Sequence, residues 1–293
     1  MQKPNKIGPF IIYNKKPSTM KYGSYYYAQM ELPFSKEKNR TIRVWLPEDY
    51  DFKNSKKRYP VIYMSDGQNL VDRHLSAYGE WKLDETVHEM QQAGFPGVIA
   101  VGIDCPKEPI ERTKELCPPY VPRKEVFKRE GGEFIPYANE YVDFIADVLK
   151  PIIDKHFFTK KGRIYTAIGG SSMGGIMAFY ACMHRPEIFG FTLSFSPAFF
   201  FYEKNDWESI MDKYDLNQIK NGEIFLYVGG KEFEKVFVKP VRNTYEYLKK
   251  KGFDHRHLSL VVDKDAYHNE EAWSKHLFEA LSSWLFHITR FII

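Results

Sequence analysis

Cysteine is scarce in this chain, with three residues among 293. Cys105, Cys117 and Cys182 lie far apart, and none of them belongs to a Cys-x-x-Cys pair. A disulfide framework or a zinc site built on cysteine pairs is therefore not indicated. We expect a protein without a metal site, located in a reducing compartment, the cytoplasm.

Long hydrophobic runs are also lacking. The longest apolar stretch, residues 189–202, contains two serines and a proline and is shorter than the roughly 20 residues that a membrane helix needs. The apolar run at residues 8–13 is followed by Lys15 and Lys16 and has no small-residue cleavage site, so it does not resemble a signal peptide. The sequence therefore predicts no membrane partner.

An excess of charge of one sign is missing as well. The chain has 42 Lys and Arg against 38 Asp and Glu, and its net charge of +4 is scattered along the sequence. A protein that binds the phosphate backbone of a nucleic acid needs a concentrated basic face. We therefore expect no nucleic acid as a partner, and the composition leaves the oligomeric state open.

Internal repeats and low-complexity tracts are absent, which excludes a collagen-like, coiled-coil or disordered protein. A chain of about 300 residues can bury about 75% of its unfolded surface in a single core. We expect one domain over residues 1–293, with antiparallel strands in residues 1–60 and a long, proline-rich loop insertion at residues 106–132.

The hydrophobic pattern changes near residue 60. Before it, alternating apolar and polar residues at 25–32 and 41–46 predict antiparallel strands. After it, short apolar runs typical of strands buried on both faces alternate with stretches of helical period. The predicted strands there cover residues 61–64, 98–101, 164–168, 191–195, 224–228 and 258–262, and the predicted helices cover residues 81–92, 135–156, 173–184, 239–251 and 270–286. This pattern predicts an α/β three-layer sandwich with a mostly parallel central sheet.

A Gly-x-Ser-x-Gly motif, residues 170–174, stands between a predicted strand and a predicted helix. On such a turn Ser172 projects above the sheet, and the first N–H groups of the helix face negative charge that develops near its oxygen. The alternative is that Ser171 or Ser172 only caps the helix. The strand before the motif and the helix after it favour a nucleophile elbow, with Ser172 as nucleophile and the N–H of Met173 as an oxyanion donor.

A serine hydroxyl needs a base to become a nucleophile, and His268 is the best placed of the nine histidines. It follows the predicted strand 258–262 across a short loop and precedes a helix. That position is the carboxyl edge of a parallel sheet, where ligands of open α/β sheets bind. The other histidines lie early in the chain, in helical stretches or at the opposite edge.

The acid that orients this base is expected after the strand 224–228, which is followed by Glu232 and Glu234. Glu232 is closer to the end of the strand and is the predicted acid. Glu234 remains an alternative, as do Asp263 and Asp265 on the histidine loop. The chain order serine, acid, histidine is that of α/β-hydrolases.

The second oxyanion donor is expected in the turn after the strand 61–64, where Gly67 allows backbone amides to point inward. We assign this role to the N–H of Gln68. The aromatic residues near the same edge that are candidates for a substrate pocket are Trp81, Phe199, Phe200, Phe201 and Trp273, and Trp81 and Phe199 are the two that we select. Most of the 23 Phe and 20 Tyr must nevertheless be buried in the core.

Five segments, in order, resemble the putative-esterase family of α/β-hydrolases, the relatives of esterase D, enterochelin esterases and microbial feruloyl esterases. They are residues 44–47, 60–69, 169–175, 194–197 and 268–273. The resemblance implies the α/β-hydrolase fold and hydrolysis of a carboxylic ester through an acyl-enzyme, without a cofactor. It also implies Ser172 as nucleophile, His268 as base and an acid after the penultimate strand. Where many relatives carry histidine before Asp-Gly, this chain has Ser65.

The predicted function is therefore that of a serine carboxylesterase acting on a small-molecule ester. An acyltransferase is an alternative, because an alcohol can intercept the same acyl-enzyme where the site excludes water. A non-catalytic α/β-hydrolase scaffold is a further alternative, because a fold does not fix a function. A non-catalytic scaffold would be expected to have lost the nucleophile or the base, whereas this chain has both Ser172 and His268.

Overall fold

A ten-stranded sheet forms the centre of the protein in the computed structural model, which describes residues 3–15, 18–54, 56–120 and 134–290. The strands are β1 (Lys6–Ile7), β2 (Phe10–Ile12), β3 (Ser24–Glu31), β4 (Asn39–Leu46), β5 (Val61–Ser65), β6 (Ile99–Ile103), β7 (Thr166–Ser171), β8 (Phe191–Phe195), β9 (Glu223–Gly229) and β10 (Leu258–Asp263). Their order across the sheet is β1-β2-β3-β4-β6-β5-β7-β8-β9-β10.

The sheet is antiparallel at one end and parallel over the rest. Strands β1 to β4 pair in antiparallel fashion, and β4 also runs antiparallel to β6. From β6 through β5 and β7 to β10, every pair of neighbours is parallel. The predicted α/β-hydrolase sandwich with antiparallel N-terminal strands is confirmed. The carboxyl ends of β5, β7, β8, β9 and β10 meet at one edge, and this edge carries the candidate site.

Helices connect the parallel strands, as such crossovers require. Those described by the structure are α1 (Leu83–Gln92), α2 (Pro109–Leu116), α3 (Ala138–Asp143), α4 (Lys150–His156), α5 (Met173–His184), α6 (Lys204–Met211), α7 (Leu216–Ile219), α8 (Lys235–Lys250), α9 (Glu270–Ser274) and α10 (Leu277–Arg290). A π-helical turn, Phe144–Leu149, joins α3 to α4, so the predicted helix 135–156 is largely present. The predicted helix 270–286 is divided into α9 and α10.

Buried side chains form two layers, one on each face of the sheet. Along β5, Tyr63 contributes to one layer, whereas Ile62 and Met64 contribute to the other, because successive side chains of a strand point to opposite faces. Helix α5 is buried along nearly its whole length in the first layer, and α1 and α10 pack in the second. The parallel strands are therefore covered on both sides, as their continuous apolar runs predict.

The predicted loop at residues 106–132 differs from the structure in its first part. Residues Pro109–Leu116 form helix α2, and residues 121–132 lie outside the described residues. Pro109 occupies the first helical turn, where backbone N–H groups have no partner within the helix, so the missing N–H of a proline costs no hydrogen bond. The proline that we interpreted as a loop signal is thus compatible with a helix start.

None of the helices in residues 3–15, 18–54, 56–120 and 134–290 combines the length and the apolar character needed to cross a bilayer.

Candidate active site

Ser172 lies on a strained turn between β7 and α5. Its backbone angles are φ 58° and ψ −117°, a conformation that non-glycine residues rarely adopt. The helix backbone passes very close to the strand here, since a Cβ atom on Gly170 would lie 2.8 Å from the backbone of Gly174. The glycines of the motif are therefore required by close packing, and the turn has the geometry expected of a nucleophile elbow.

The end of strand β8 and the loop after it hold this strained serine in place. The N–H of Ser172 donates to the carbonyl of Phe195 at 2.9 Å, and its carbonyl accepts from the N–H of Ala198 at 3.1 Å. Strained backbone persists only where its surroundings fix it in this way, and it is concentrated at functional sites. Met173, the residue after Ser172, is the first residue of α5. The backbone N–H groups of the first helical turn have no partner within the helix, so the N–H of Met173 is available to a ligand.

His268 lies in the loop between β10 and α9, and aromatic rings hold its imidazole. The ring of Phe237 is stacked on it at 4.5 Å, and the rings of Phe233 and Trp273 meet it edge-on at 5.3 and 4.9 Å between centroids. The loop ends where the side chain of Asn269 caps α9 by accepting from the N–H of Ala272. The imidazole therefore has a defined orientation, and 16% of its side chain stays exposed.

The carboxylate beside this imidazole belongs to Glu234. Its Oε1 lies 3.4 Å from His268 Nδ1, and its side chain is fully buried. This separation is an ion-pair distance and is slightly longer than an aligned hydrogen bond; such contacts commonly tighten when substrate binds. Gly229 makes room for the acid, because a Cβ atom there would lie 2.8 Å from Glu234 Cγ.

The predicted acid, Glu232, is not the glutamate that lies beside His268. Glu232 is exposed, and no hydrogen bond or ion pair to His268 is found for it within the described part of the chain. The two glutamates lie in one 3₁₀ turn, Glu232–Glu234, in which residues two apart point in different directions. Distance along the chain from the strand end was therefore the wrong criterion.

A signal in the sequence was available for Glu234. The buried residues of α8 recur at Phe237, Val241, Thr244 and Leu248, which is the spacing of one helix face. Extending this period backward by three residues reaches Glu234 and not Glu232. An acidic residue that falls on the buried face of a helix pattern, just after a strand, is the feature to look for.

Ser172 and His268 line the same cavity at the carboxyl edge of the sheet. Its volume is about 740 Å³. Its wall also includes the ionisable residues Glu37, Arg40, Arg43, Asp66, Asp104, Lys107, Arg112 and Glu270, and the apolar or aromatic residues Leu75, Ala77, Tyr78 and Trp273. Two residues 96 positions apart in the sequence are thus brought to one chamber of a size typical for small-molecule sites.

Gln68 lies on this cavity in the 3₁₀ turn Gly67–Asn69, which follows β5. Its side chain is engaged with Cys105: Oε1 accepts from the backbone N–H at 3.0 Å, and Nε2 lies 3.2 Å from Sγ. The side chain therefore anchors the turn. Burial raises the pKa of the Cys105 thiol to about 12, so this cysteine is protonated at neutral pH.

Two polar contacts hold the loops around the turn. Arg112 of α2 donates from Nε and Nη2 to the two carboxylate oxygens of Asp66, at 2.6 and 2.7 Å. Asn69 donates from Nδ2 to Glu270 Oε1 at 2.7 Å, which joins the turn after β5 to the start of α9. Burial raises the pKa of the Glu270 carboxyl above its ordinary value.

Trp81 and Phe199 do not line this cavity, so their assignment to substrate binding is corrected. Trp81 is 1% exposed and lies behind Trp273, on which it stacks at 5.8 Å. Phe199 packs against Phe179 and Trp207 and borders a separate cavity. Both are large apolar side chains whose burial in the core outweighs exposure to a ligand. The aromatic wall of the site is supplied by Trp273, a sequence candidate that was not one of the two selected, and by Tyr78, which was not a candidate.

In residues 3–15, 18–54, 56–120 and 134–290, no group of three or more His, Cys, Asp or Glu side chains is arranged to hold a metal ion. All three cysteines are free.

Comparison with known proteins agrees with this architecture. Residues 35–284 match the family model described as "Putative esterase". The protein YbbA of Bacillus subtilis is 24% identical over 257 residues, which are 85% of this chain and 93% of YbbA. An endo-1,4-beta-xylanase/feruloyl esterase of Xylanibacter ruminicola is 30% identical over 159 residues, which are 53% of this chain but only 19% of that protein. Among solved structures, the BES protein from Bacillus cereus superimposes with a TM-score of 0.67 at 20% identity and covers 93% of this chain and 98% of its own, a likeness of fold.

Proposed function

The chain belongs to the family described as "Putative esterase", which makes it an ester-hydrolysing enzyme of the α/β-hydrolase fold, and we propose that it cleaves a small-molecule carboxylic ester through a serine acyl-enzyme. The observation that carries this proposal is one cavity lined by Ser172 on a strained elbow and by His268, with Glu234 buried behind the imidazole. This is the arrangement that activates a serine hydroxyl.

Acylation begins when Ser172 Oγ attacks the ester carbonyl carbon. His268 Nε2 takes the hydroxyl proton as the new C–O bond forms, and the carbonyl electron pair moves to the oxygen. The carboxylate of Glu234 stabilises the imidazolium from the Nδ1 side, without taking the proton. The imidazolium then protonates the leaving alcohol oxygen, the ester bond breaks, and the acyl group remains on Ser172.

The oxyanion of the tetrahedral intermediate needs donors that are already in place. In this proposal they are the backbone N–H groups of Met173, at the start of α5, and of Gln68, in the turn after β5. The positive end of the α5 dipole adds to the stabilisation. Losing one such donor in comparable sites lowers turnover by about a hundredfold to a thousandfold.

Deacylation repeats these steps with water as the nucleophile. His268 takes a proton from water, the hydroxide adds to the acyl carbon, and the collapse of the intermediate returns the proton to Ser172 Oγ. The acid product leaves and the free enzyme is restored. Each step uses groups of this chain, the ester and water.

Substitution of Ser172 by alanine tests the proposal. Ser172→Ala is expected to lower the hydrolysis of p-nitrophenyl acetate by at least about a thousandfold, because the nucleophile is removed. Ser209→Ala is the control, since Ser209 is exposed on α6 and does not line the cavity. A fluorophosphonate should label wild type and Ser209→Ala at Ser172, as read by peptide mass spectrometry. Equal hydrolysis rates for wild type and Ser172→Ala, or a label on another residue, would contradict the proposal.

A further inference from the structure

A buried chain of polar groups begins at the Nδ1 side of His268. Behind the imidazole lies Glu234, whose Oε1 accepts a hydrogen bond from Ser196 Oγ at 2.5 Å. Ser196 Oγ in turn lies 3.1 Å from the indole Nε1 of Trp273. Ser196 and Glu234 are fully buried and Trp273 is 3% exposed, so water has little access to these bonds.

The direction of these hydrogen bonds follows from the chemistry of the groups. An indole N–H is a donor only, so Ser196 Oγ must accept from Trp273. The serine has a single hydroxyl proton, and Trp273 directs it toward Glu234. The carboxylate oxygen that faces His268 Nδ1 at 3.4 Å therefore also receives a directed O–H.

Three neighbouring loops are joined by this chain. Ser196 follows β8, Glu234 follows β9, and Trp273 lies on α9 after β10. Ser196 has a positive φ of 42°, and its N–H donates to the carbonyl of Tyr227 on β9 at 2.7 Å. A strained non-glycine backbone that hydrogen bonds hold in place is typical of a site with a positional requirement.

The acid depends on these contacts because it has few others. Glu234 Oε2 is buried and finds no hydrogen-bond partner within the described part of the chain. A buried carboxylate is stable and fixed only when its oxygens receive donors. Without Ser196, the only remaining partner of this carboxylate in the described residues is the imidazole itself, whose orientation the acid is needed to fix.

We propose that Ser196 and Trp273 are positioning residues, which act through Glu234 to hold the carboxylate against His268. This inference rests on the proposed function and goes beyond it, since it assigns to both residues a role exerted through Glu234. It assigns a role to the serine of the Ser-Phe-Ser-Pro segment, residues 194–197, and to the indole N–H of Trp273. Trp273 thus has two faces, one on the cavity and one on this chain of hydrogen bonds.

The principal test is Ser196→Gly. Glycine adopts a positive φ without strain, so this variant removes the hydroxyl at little backbone cost. We expect kcat to fall about tenfold to a hundredfold, the worth of a hydrogen bond to a charged group, with KM within a factor of about two. The enzyme concentration is measured by fluorophosphonate titration, so that unfolded protein is not counted.

Trp273→Phe is the second variant, since it keeps an aromatic ring and removes the indole N–H. We expect kcat to fall about threefold to tenfold, as for the loss of a neutral hydrogen bond. Trp207→Phe is the matched control: Trp207 is a buried tryptophan that does not line the cavity with Ser172. It should keep the wild-type kcat.

Double-mutant cycles that combine Ser196→Gly or Trp273→Phe with Glu234→Gln separate a positioning role from a general structural role. If Ser196 and Trp273 act through the carboxylate, each substitution should lower kcat less than about twofold further in the Glu234→Gln background. The inference is overturned if Ser196→Gly keeps the wild-type kcat, if its effect lies only in KM, or if its effect multiplies fully with that of Glu234→Gln. Should Ser196→Gly fail to fold, the cycle of Trp273→Phe with Glu234→Gln decides alone. Full activity of Ser172→Ala would instead refute the proposed function.

Discussion

The replacement of Glu234 by glutamine is the sharpest test of the assignment of the acid. Glutamine keeps the shape of the side chain and removes its negative charge. The proposed mechanism places a positive charge on His268 in the transition state, and Glu234 Oε1 lies 3.4 Å from Nδ1. Glu234→Gln therefore removes the charge partner of the imidazolium and also places an amide that can favour the wrong tautomer.

The magnitude follows from this geometry. Two unit charges 3.4 Å apart attract by about 5 kcal/mol at an effective dielectric constant of about 20. Full loss of that attraction in the transition state corresponds to a factor of about 10³ to 10⁴ in rate. We expect kcat for p-nitrophenyl acetate to fall by this factor in Glu234→Gln, with a small change in KM.

Glu232→Gln is the matched control, because it makes the same chemical change two residues away on an exposed side chain. Its kcat should stay within about twofold of wild type, since an exposed charge is screened by solvent. Both variants are assayed at equal concentrations of fluorophosphonate-titratable enzyme. The reasoning is refuted if Glu234→Gln retains more than about a tenth of the wild-type kcat, or if Glu232→Gln is the variant that loses activity.

Two further predictions concern stability. Arg40 and Glu115 form an ion pair with both side chains 2% exposed, so Glu115→Leu should lower the free energy of urea unfolding by about 3–5 kcal/mol, because it leaves the Arg40 charge buried without a partner. The double variant Arg40→Met with Glu115→Leu should recover most of the lost free energy of unfolding. A double variant as unstable as the single one would contradict this. Burial raises the pKa of the Asp84 carboxyl. The contribution of this carboxyl to the free energy of unfolding is therefore full below its ordinary pKa of about 4, where it is protonated in both the folded and the unfolded state. That contribution is lost as the pH rises through the raised pKa, because the buried group must then carry a charge. Asp84→Asn should therefore raise the urea midpoint more at pH 8 than at pH 4.5, and a gain that does not vary with pH would refute the assignment.

The predicted fold is confirmed because it depends on patterns that are local in the sequence. Apolar runs such as 191–195 coincide with a strand to the residue, and the helix 173–184 is found with the predicted bounds. The alternation of these elements requires parallel strands with crossovers. It also places every strand-to-helix loop at one edge, which is why the order of elements along the chain was enough to pair Ser172 with His268.

The residues that the sequence analysis assigned wrongly are those whose role depends on the direction in which a side chain points or on how deeply it is buried. Glu232 and Glu234 have the same chemistry and nearly the same position, and only the turn between β9 and α8 decides which one points inward. Trp81 and Trp273 are stacked on each other, but only Trp273 reaches the cavity. Composition cannot distinguish the members of either pair, and for the glutamates only the buried-face period of α8 points to Glu234.

The sequence by itself predicted most of the alternation of strands and helices after residue 60, the serine turn and the loop that carries the histidine, since each follows from periodicity and from glycine at a tight turn. Helix α2, which was predicted as a loop, is an exception. The tertiary structure showed that Glu234 faces His268, to which the period of α8 also pointed, and it alone decided which aromatic ring borders the cavity and that Ser196 and Trp273 meet behind the carboxylate. Those contacts join loops after three different strands, and their geometry is set by the packing of the whole sheet, which no local pattern encodes.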